Sequence, residues 1–201
     1  EYGNAMSGII NIQLKEGSDK FDGSLSYYAG DYISDNTDIF MNIDDVNPLA
    51  SSVLEANLTG PILGRKLTFN VSGKYKDSQG YLYGLREHSP GDSANFNDAD
   101  NYYIELTGDS AFVEMNPSTN FNGLLKLTFR VTPRLKFSTS MLTDRGNYKS
   151  YDHAYKYNPD GIYNRGYDNS GISFKVNQSF GGVFYEASIY SNSTDATQYV
   201  Y

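Results

Sequence analysis

The chain has 201 residues, with 24 acidic side chains against 16 basic ones for a net charge of −8, and it contains no cysteine. Missing thiols exclude disulfides, thiolate metal sites and a cysteine nucleophile, while the acidity argues against nucleic acid as a partner. No stretch approaches the ~18 to 20 apolar residues of a membrane-spanning helix, yet 19 Tyr, 11 Phe and 19 Gly make an aromatic, glycine-rich composition.

In chain order, the first element is a short apolar run, Ile9, Ile10, Asn11 and Ile12, closed by Lys15, Glu16 and Gly17. Its continuous apolarity suits a strand buried on both faces. Residues 21–29 then alternate between apolar or aromatic and small polar side chains, the mark of a two-faced strand. A first hairpin follows: Leu54, Ala56, Leu58 and Gly60 share a face, residues 61–66 turn, and Leu67, Phe69, Val71, Gly73 and Tyr75 resume it. The second places Phe121, Gly123, Leu125, Leu127, Phe129 and Val131 before a turn at Thr132, Pro133 and Arg134, with Leu135, Phe137, Thr139 and Met141 beyond. The third runs from Ile172, Phe174 and Val176 through Gly181 and Gly182 to Tyr185, Ala187 and Ile189. About seven strands are expected, each near the ~9 to 11 residues that cross a bilayer with tilt.

Three short connections alternate with three long ones, about residues 33–52, 77–120 and 145–169. An up-and-down sheet would then collect its short turns at one end and its long loops at the other, as outer-membrane barrels do. The face opposite the apolar one carries Glu55, Lys74, Lys126, Arg130, Lys175 and Glu186, which suits a polar lumen. A half-solvated antiparallel sheet alternates in the same way and remains open as a reading.

The opening stretch resembles the end of the plug domain in TonB-dependent outer-membrane receptors. The residues that carry the likeness are Tyr2 and Gly3, Ser7 and Gly8, Ile9 to Ile12, and Lys15 to Gly17, followed by "SLSYYAGDY", "ANLTGPILGRKLTFNVSGKY" and "HAYKYNPDG". The resemblance implies an all-β fold: a partial antiparallel up-and-down transmembrane β-barrel, about seven strands of a 22-stranded whole. Residues 1–18 would end the plug and residues 19–201 begin the barrel. The chain would be a fragment, because an open sheet leaves two unpaired edges that hydrocarbon does not tolerate. Gln13 and Leu14 depart from the pattern of the starch-utilisation subclass, which weakens a lid lipoprotein as partner.

By the same resemblance, the function would be TonB-dependent import of a scarce nutrient of the siderophore, cobalamin, haem or glycan class, without catalysis. Its partners would be outer-membrane lipid or lipopolysaccharide, the TonB complex and the transported ligand. Lys74, Lys126, Arg130 and Glu186 would face the lumen or plug. The long loops would be extracellular and supply the substrate contacts, from residues that cannot be named in advance. Two alternatives stand beside this reading: a non-transporting outer-membrane adhesin or assembly partner, and a soluble β-rich binding module.

The loops are acidic, with Asp31, Asp35, Asp38, Asp44 and Asp45 in one and eight acids against Arg86 in the next. Such loops attract cations or are simply solvated. Asp98 and Asp100 are candidate calcium ligands, although the stretch lacks EF-hand spacing. His88 and His153 belong to no metal-binding pair, and no GxSxG elbow or phosphate-cradling glycine loop is present.

Overall fold

The computed structural model describes residues 14–200, so the plug-like strand expected at residues 9–12 lies outside the described part. Eleven strands follow in order: β1 (Asp22–Gly30), β2 (Ser51–Leu63), β3 (Leu67–Ser78), β4 (Tyr83–Leu85), β5 (Ala94–Asn95), β6 (Tyr103–Ile104), β7 (Phe112–Glu114), β8 (Ser118–Thr132), β9 (Leu135–Lys149), β10 (Asn164–Phe180) and β11 (Val183–Tyr199). Seven of them form one antiparallel sheet in the order β1-β2-β3-β8-β9-β10-β11. The small pairs β4-β7 and β5-β6 lie within the 77–120 connection, which sequence alone reads as a plain loop.

The order of the large sheet corrects the expected barrel. β1 and β11 are its two ends and do not pair with one another, so the sheet is open. A barrel closes by joining its first and last strands, and a span in hydrocarbon needs that closure because unpaired edge groups cannot be satisfied there. No helix among the described residues is long and apolar enough to cross a membrane.

Local chemistry explains the hairpins. Gly181 and Gly182 both take positive φ, 57° and 86°, which a two-residue turn of the primed type requires and glycine supplies without strain. Pro133 opens the equally short turn between β8 and β9. The strands run longer than periodicity indicates, reaching 15 residues in β8 and β9 and 17 in β10 and β11. β11 continues beyond Ile189 through Ser, Asn, Thr and Asp, where hydrophobic alternation has ended and only the backbone ladder with β10 persists.

The register builds continuous rows across the strands. One row is Leu58, Val71, Leu125, Met141 and Ile172; the next toward the turns is Phe69, Leu127, Thr139, Phe174 and Ile189. This apolar face is largely open: Leu58 is 47% exposed, Ile172 48% and Ile189 70%. No second layer covers these side chains among the described residues. The buried apolar residues are instead Ile43, Ala50, Met115 and Ile162, all outside the seven strands. Apart from Gly60, Gly146 and Gly166, the buried positions inside the sheet are polar: Thr59, Thr68, Asn70, Ser78, Thr128, Ser138 and Ser140.

The long connections form their own cap at one end of the sheet. Leu85 N donates to Lys156 O at 2.9 Å and Met115 N to Leu82 O at 2.8 Å, while Arg86 binds Asp160 at 2.6 Å and Asp109 at 3.0 Å. Gly84 faces Lys156 O and Met115 Sδ so closely that a Cβ would lie 2.5 and 2.6 Å from them. Met115, fully buried, is the apolar centre of this cap. Met115→Ala is expected to cost about 2–5 kcal/mol of local stability. Hydrogen exchange reads this directly: the Leu85 and Arg86 amides lose protection while β8 and β9 keep theirs, and unchanged Leu85 exchange would deny Met115 that role.

Candidate functional site

The side of the sheet opposite the apolar rows carries the chemistry. Its residues come from alternate positions, so Asn57, Ser72, Asn122 and Asp144 share it with Asn169 and Thr194. Together with small residues such as Ser24 and Ser26, they line a recess of about 610 Å³ to which all seven strands contribute. A second recess of about 630 Å³ lies toward the loop cap, lined by Lys76, Asn120, Asp144, Tyr148 and Tyr167 among others.

These side chains are held by one another. Asn120 Nδ2 donates to Asp144 Oδ1 at 2.8 Å and to the Tyr167 hydroxyl at 2.7 Å, and Asn122 donates to Asn120 Oδ1. Tyr167 lies against Gly146, where a Cβ would come within 2.7–2.8 Å of its ring and hydroxyl. The missing side chain at position 146 therefore gives the tyrosine its place on the sheet. Glu55 and Lys74 are cross-strand partners joined at 2.8 Å, and Glu186 binds Lys175 at 2.7 Å and Asn177 at 2.6 Å.

At the short-turn end, residues 14–18 lie across this polar face without joining its ladder. Glu16 bridges two strands, with Oε2 2.7 Å from Arg130 Nη2 and Oε1 2.6 Å from Lys136 Nζ. Lys126 Nζ donates to Leu14 O at 2.7 Å, and Ser18 N donates to Thr59 Oγ1 at 2.8 Å. Gly17 presses on the backbone of Phe69, and a Cβ there would stand 2.5 Å from its nitrogen.

Of the four residues singled out as lumen- or plug-facing, Lys126 and Arg130 thus meet the 14–18 segment. Lys74 and Glu186 sit in separate pairs. Sequence reasoning does not identify Glu16 or the Asn120, Asp144 and Tyr167 cluster as site residues. The only trace of the latter is asparagine at alternate positions 120 and 122 of a strand.

Asp98 and Asp100 form a local turn, with Asp100 N donating to Asp98 Oδ1 at 3.0 Å. No group of three or more His, Asp or Glu side chains able to hold a metal ion occurs among the described residues. Both histidines have local partners: His88 Nδ1 is 2.8 Å from Glu105 O, and His153 Nδ1 is 2.7 Å from the Tyr151 hydroxyl.

Set against known proteins, the chain matches no family model, no curated protein and no solved structure. The expected kinship with TonB-dependent receptors is corrected accordingly, since no comparison returns it and the sheet that would be its barrel is open. Tyr2, Gly3 and Ile9 to Ile12, which carry its most distinctive part, lie outside the described residues. With that identity go the expectations that hung on it: nutrient import, an outer-membrane location with extracellular loops, and partnership with lipid, lipopolysaccharide, the TonB complex, a transported ligand or a lid lipoprotein.

Electrostatics at Glu16 yield a pH dependence. Burial works to raise its pKa, but the Lys136 hydrogen bond and the charges of Lys136, Arg130 and Lys126 outweigh it, so the carboxyl is held below its ordinary 4.5. Burial, with the charges of Lys136 and Lys175, lowers the Lys126 pKa, although Glu16 opposes the shift. Because the carboxylate is favoured in the folded chain, its contribution is present above pH 4.5 and is lost as pH falls through the lowered value. Exchange of the Ser18 amide, followed from pH 6 to 3 and corrected for intrinsic rate, should lose protection across that acid window in wild type. In Glu16→Gln it should be weakly protected throughout, and a pH-independent wild-type profile would contradict the assignment.

Proposed function

We propose that the chain is a non-catalytic β-sheet binding module that takes a polar, hydroxyl-rich ligand in the recess of its polar face. The observation that carries this reading is the shape and lining of that recess. All seven strands contribute to it, and the amides, hydroxyls and carboxylate of Asn57, Ser72, Asn122, Asp144, Asn169 and Thr194 line it beside Leu124 and Leu142. Side chains already bonded to neighbours lose little further freedom when they also bind a ligand, so a preorganised polar array gains affinity at low entropic cost. The charged groups of this face are engaged in pairs such as Glu55–Lys74 and Lys175–Glu186, an arrangement that maintains shape rather than activating a nucleophile.

The opposite face favours a second, compatible role in assembly. Exposed contiguous apolar patches mark interaction surfaces, and Leu25, Leu58, Met141, Phe174 and Ile189 all lie open on this one. Seating that face against further protein would leave the polar recess free for ligand.

Asn122 and Asp144 are cross-strand partners at the centre of the recess. Calorimetric titration with neutral oligosaccharides as hydroxyl-rich probes, maltohexaose and cellohexaose, tests the reading. Asn122→Ala and Asp144→Ala should each weaken binding by roughly ten- to a hundredfold, as loss of one hydrogen bond to a charged or preorganised group would. Ile172→Ser, on the opposite face, should leave it unchanged. Absence of binding to every probe, or equal affinity in all three variants, would overturn the assignment.

A further inference from the structure

We infer that Arg130, Lys136 and Lys126 form an anion-binding site whose resident occupant is the chain's own Glu16, making residues 14–18 a displaceable strap over the basic end of the recess. The inference rests on reading the polar face as a binding surface and specifies the chemistry of one end of it.

Register supplies the first argument. Arg130 and Lys136 stand directly opposite one another in the β8–β9 ladder, a like-charge pairing that destabilises a sheet on its own. Glu16 resolves it by giving one carboxylate oxygen to each cation, at 2.7 and 2.6 Å. Lys126, on the same face of β8, adds a third cation and holds the strap through Leu14 O. Of the facing groups on the next strands, Glu186 of β11 is bound directly to Lys175 of β10 and acts on Lys136 only through its charge, so Glu16 supplies the carboxylate in contact with the cluster. The site demands an anion, and two charge-assisted hydrogen bonds from different strands suit the spread oxygens of a carboxylate or a phosphate.

The second argument concerns how the strap is held. Residues 14–18 form no ladder with the sheet. Their bonds run to side chains, Glu16 to Arg130 and Lys136, Leu14 O to Lys126, and Ser18 N to Thr59. Beneath lie buried polar residues, including Thr59, Thr68, Asn70 and Thr128, rather than apolar ones. Lifting the strap would expose hydroxyls and an amide to water, with little hydrophobic penalty and no break in the strand pairing. An incoming oxyanion that replaces Glu16 would therefore open the strap and extend the recess toward the short turns. This basic end also contrasts with the chain's net charge of −8, so it offers an anion a local site on a repelling molecule.

The test titrates inorganic phosphate into wild type, Glu16→Gln and Arg130→Gln/Lys136→Gln, with chloride at matched ionic strength as control. It follows the Arg130 Nε and Lys136 Nζ resonances together with Ser18 amide exchange. Glu16→Gln should bind phosphate roughly tenfold more tightly than wild type, the gain expected when one competing charge-assisted pair is removed. In wild type, phosphate and not chloride should deprotect the Ser18 amide, and the double variant should bind no phosphate. A tetraglutamate peptide forms a second arm: tighter capture than phosphate assigns the site to acidic polypeptide, and weaker capture to free phosphate, both with the site intact. Equal phosphate affinity in wild type and Glu16→Gln, or Ser18 protection indifferent to phosphate, overturns the inference. Retained β8–β9 amide protection in every variant verifies the fold. Oligosaccharide binding measured on the same samples separates the two readings: if it persists where phosphate fails, the strap inference falls and the recess stands.

Discussion

Backbone hydrogen bonding between neighbouring strands holds this molecule together to an unusual degree, because among the described residues the large sheet has no apolar core of its own. In a sandwich or a barrel, the ladder sets geometry while burial of alternating apolar side chains supplies most of the driving force. Here the alternating apolar side chains of β1–β3 and β8–β11 remain open or half-buried, and the buried apolar residues Ile43, Ala50, Met115 and Ile162 belong to the segments that connect strands. Cross-strand contacts such as Phe137 on Phe174, with ring centroids 6.0 Å apart, supplement the ladder without replacing a second layer. The sheet is thus stabilised along its hydrogen-bonding direction and left unsatisfied perpendicular to it, which is why association through the apolar face belongs with the binding role.

The polar face answers a different constraint. Charges in register across a sheet must alternate in sign or be bridged, and both solutions occur. Glu55 opposite Lys74 is the first kind, and Arg130 opposite Lys136 with Glu16 between them is the second. The bridged pair helps tie a non-ladder segment to the sheet, beside the Lys126–Leu14 and Ser18–Thr59 hydrogen bonds, whereas the paired charges merely decorate it. Consequently acid and competing anions act on the strap first, and the strands beneath are insulated from both.

Much of the secondary structure was legible because period-two alternation, a short turn and resumed alternation are local signals. Gly181 and Gly182, or Pro133 between Val131 and Leu135, announce their hairpins without reference to the rest of the chain. The tail of β11 was not legible, since Ser191 to Thr197 form strand only through pairing with β10. The same holds for the cap, where β4 finds β7 across the 26 residues from 86 to 111. The barrel reading misled for a related reason. Alternation states that a sheet has an apolar face, but whether its end strands meet depends on strands far apart in sequence. The residues of the candidate site fared likewise. Lys126 and Arg130 stood out as charges on a strand, but Glu16 acquires meaning only when a segment more than a hundred residues away crosses over them.

The two faces and the two ends of the sheet combine into one electrostatic arrangement. Acidic residues crowd the long connections, where Arg86 ties Asp109 and Asp160 together, while Arg65, Arg130, Arg134 and Lys136 gather at the short turns. An anionic or partly anionic ligand approaching the polar face is therefore repelled at the cap and drawn along the recess toward the strap. A neutral, hydroxyl-rich one meets the amides of Asn57, Asn122 and Asn169 without that bias. Orientation of a bound molecule along the strands follows from this gradient rather than from any single contact. Glu16, at the attractive end, is the group that such a molecule must displace.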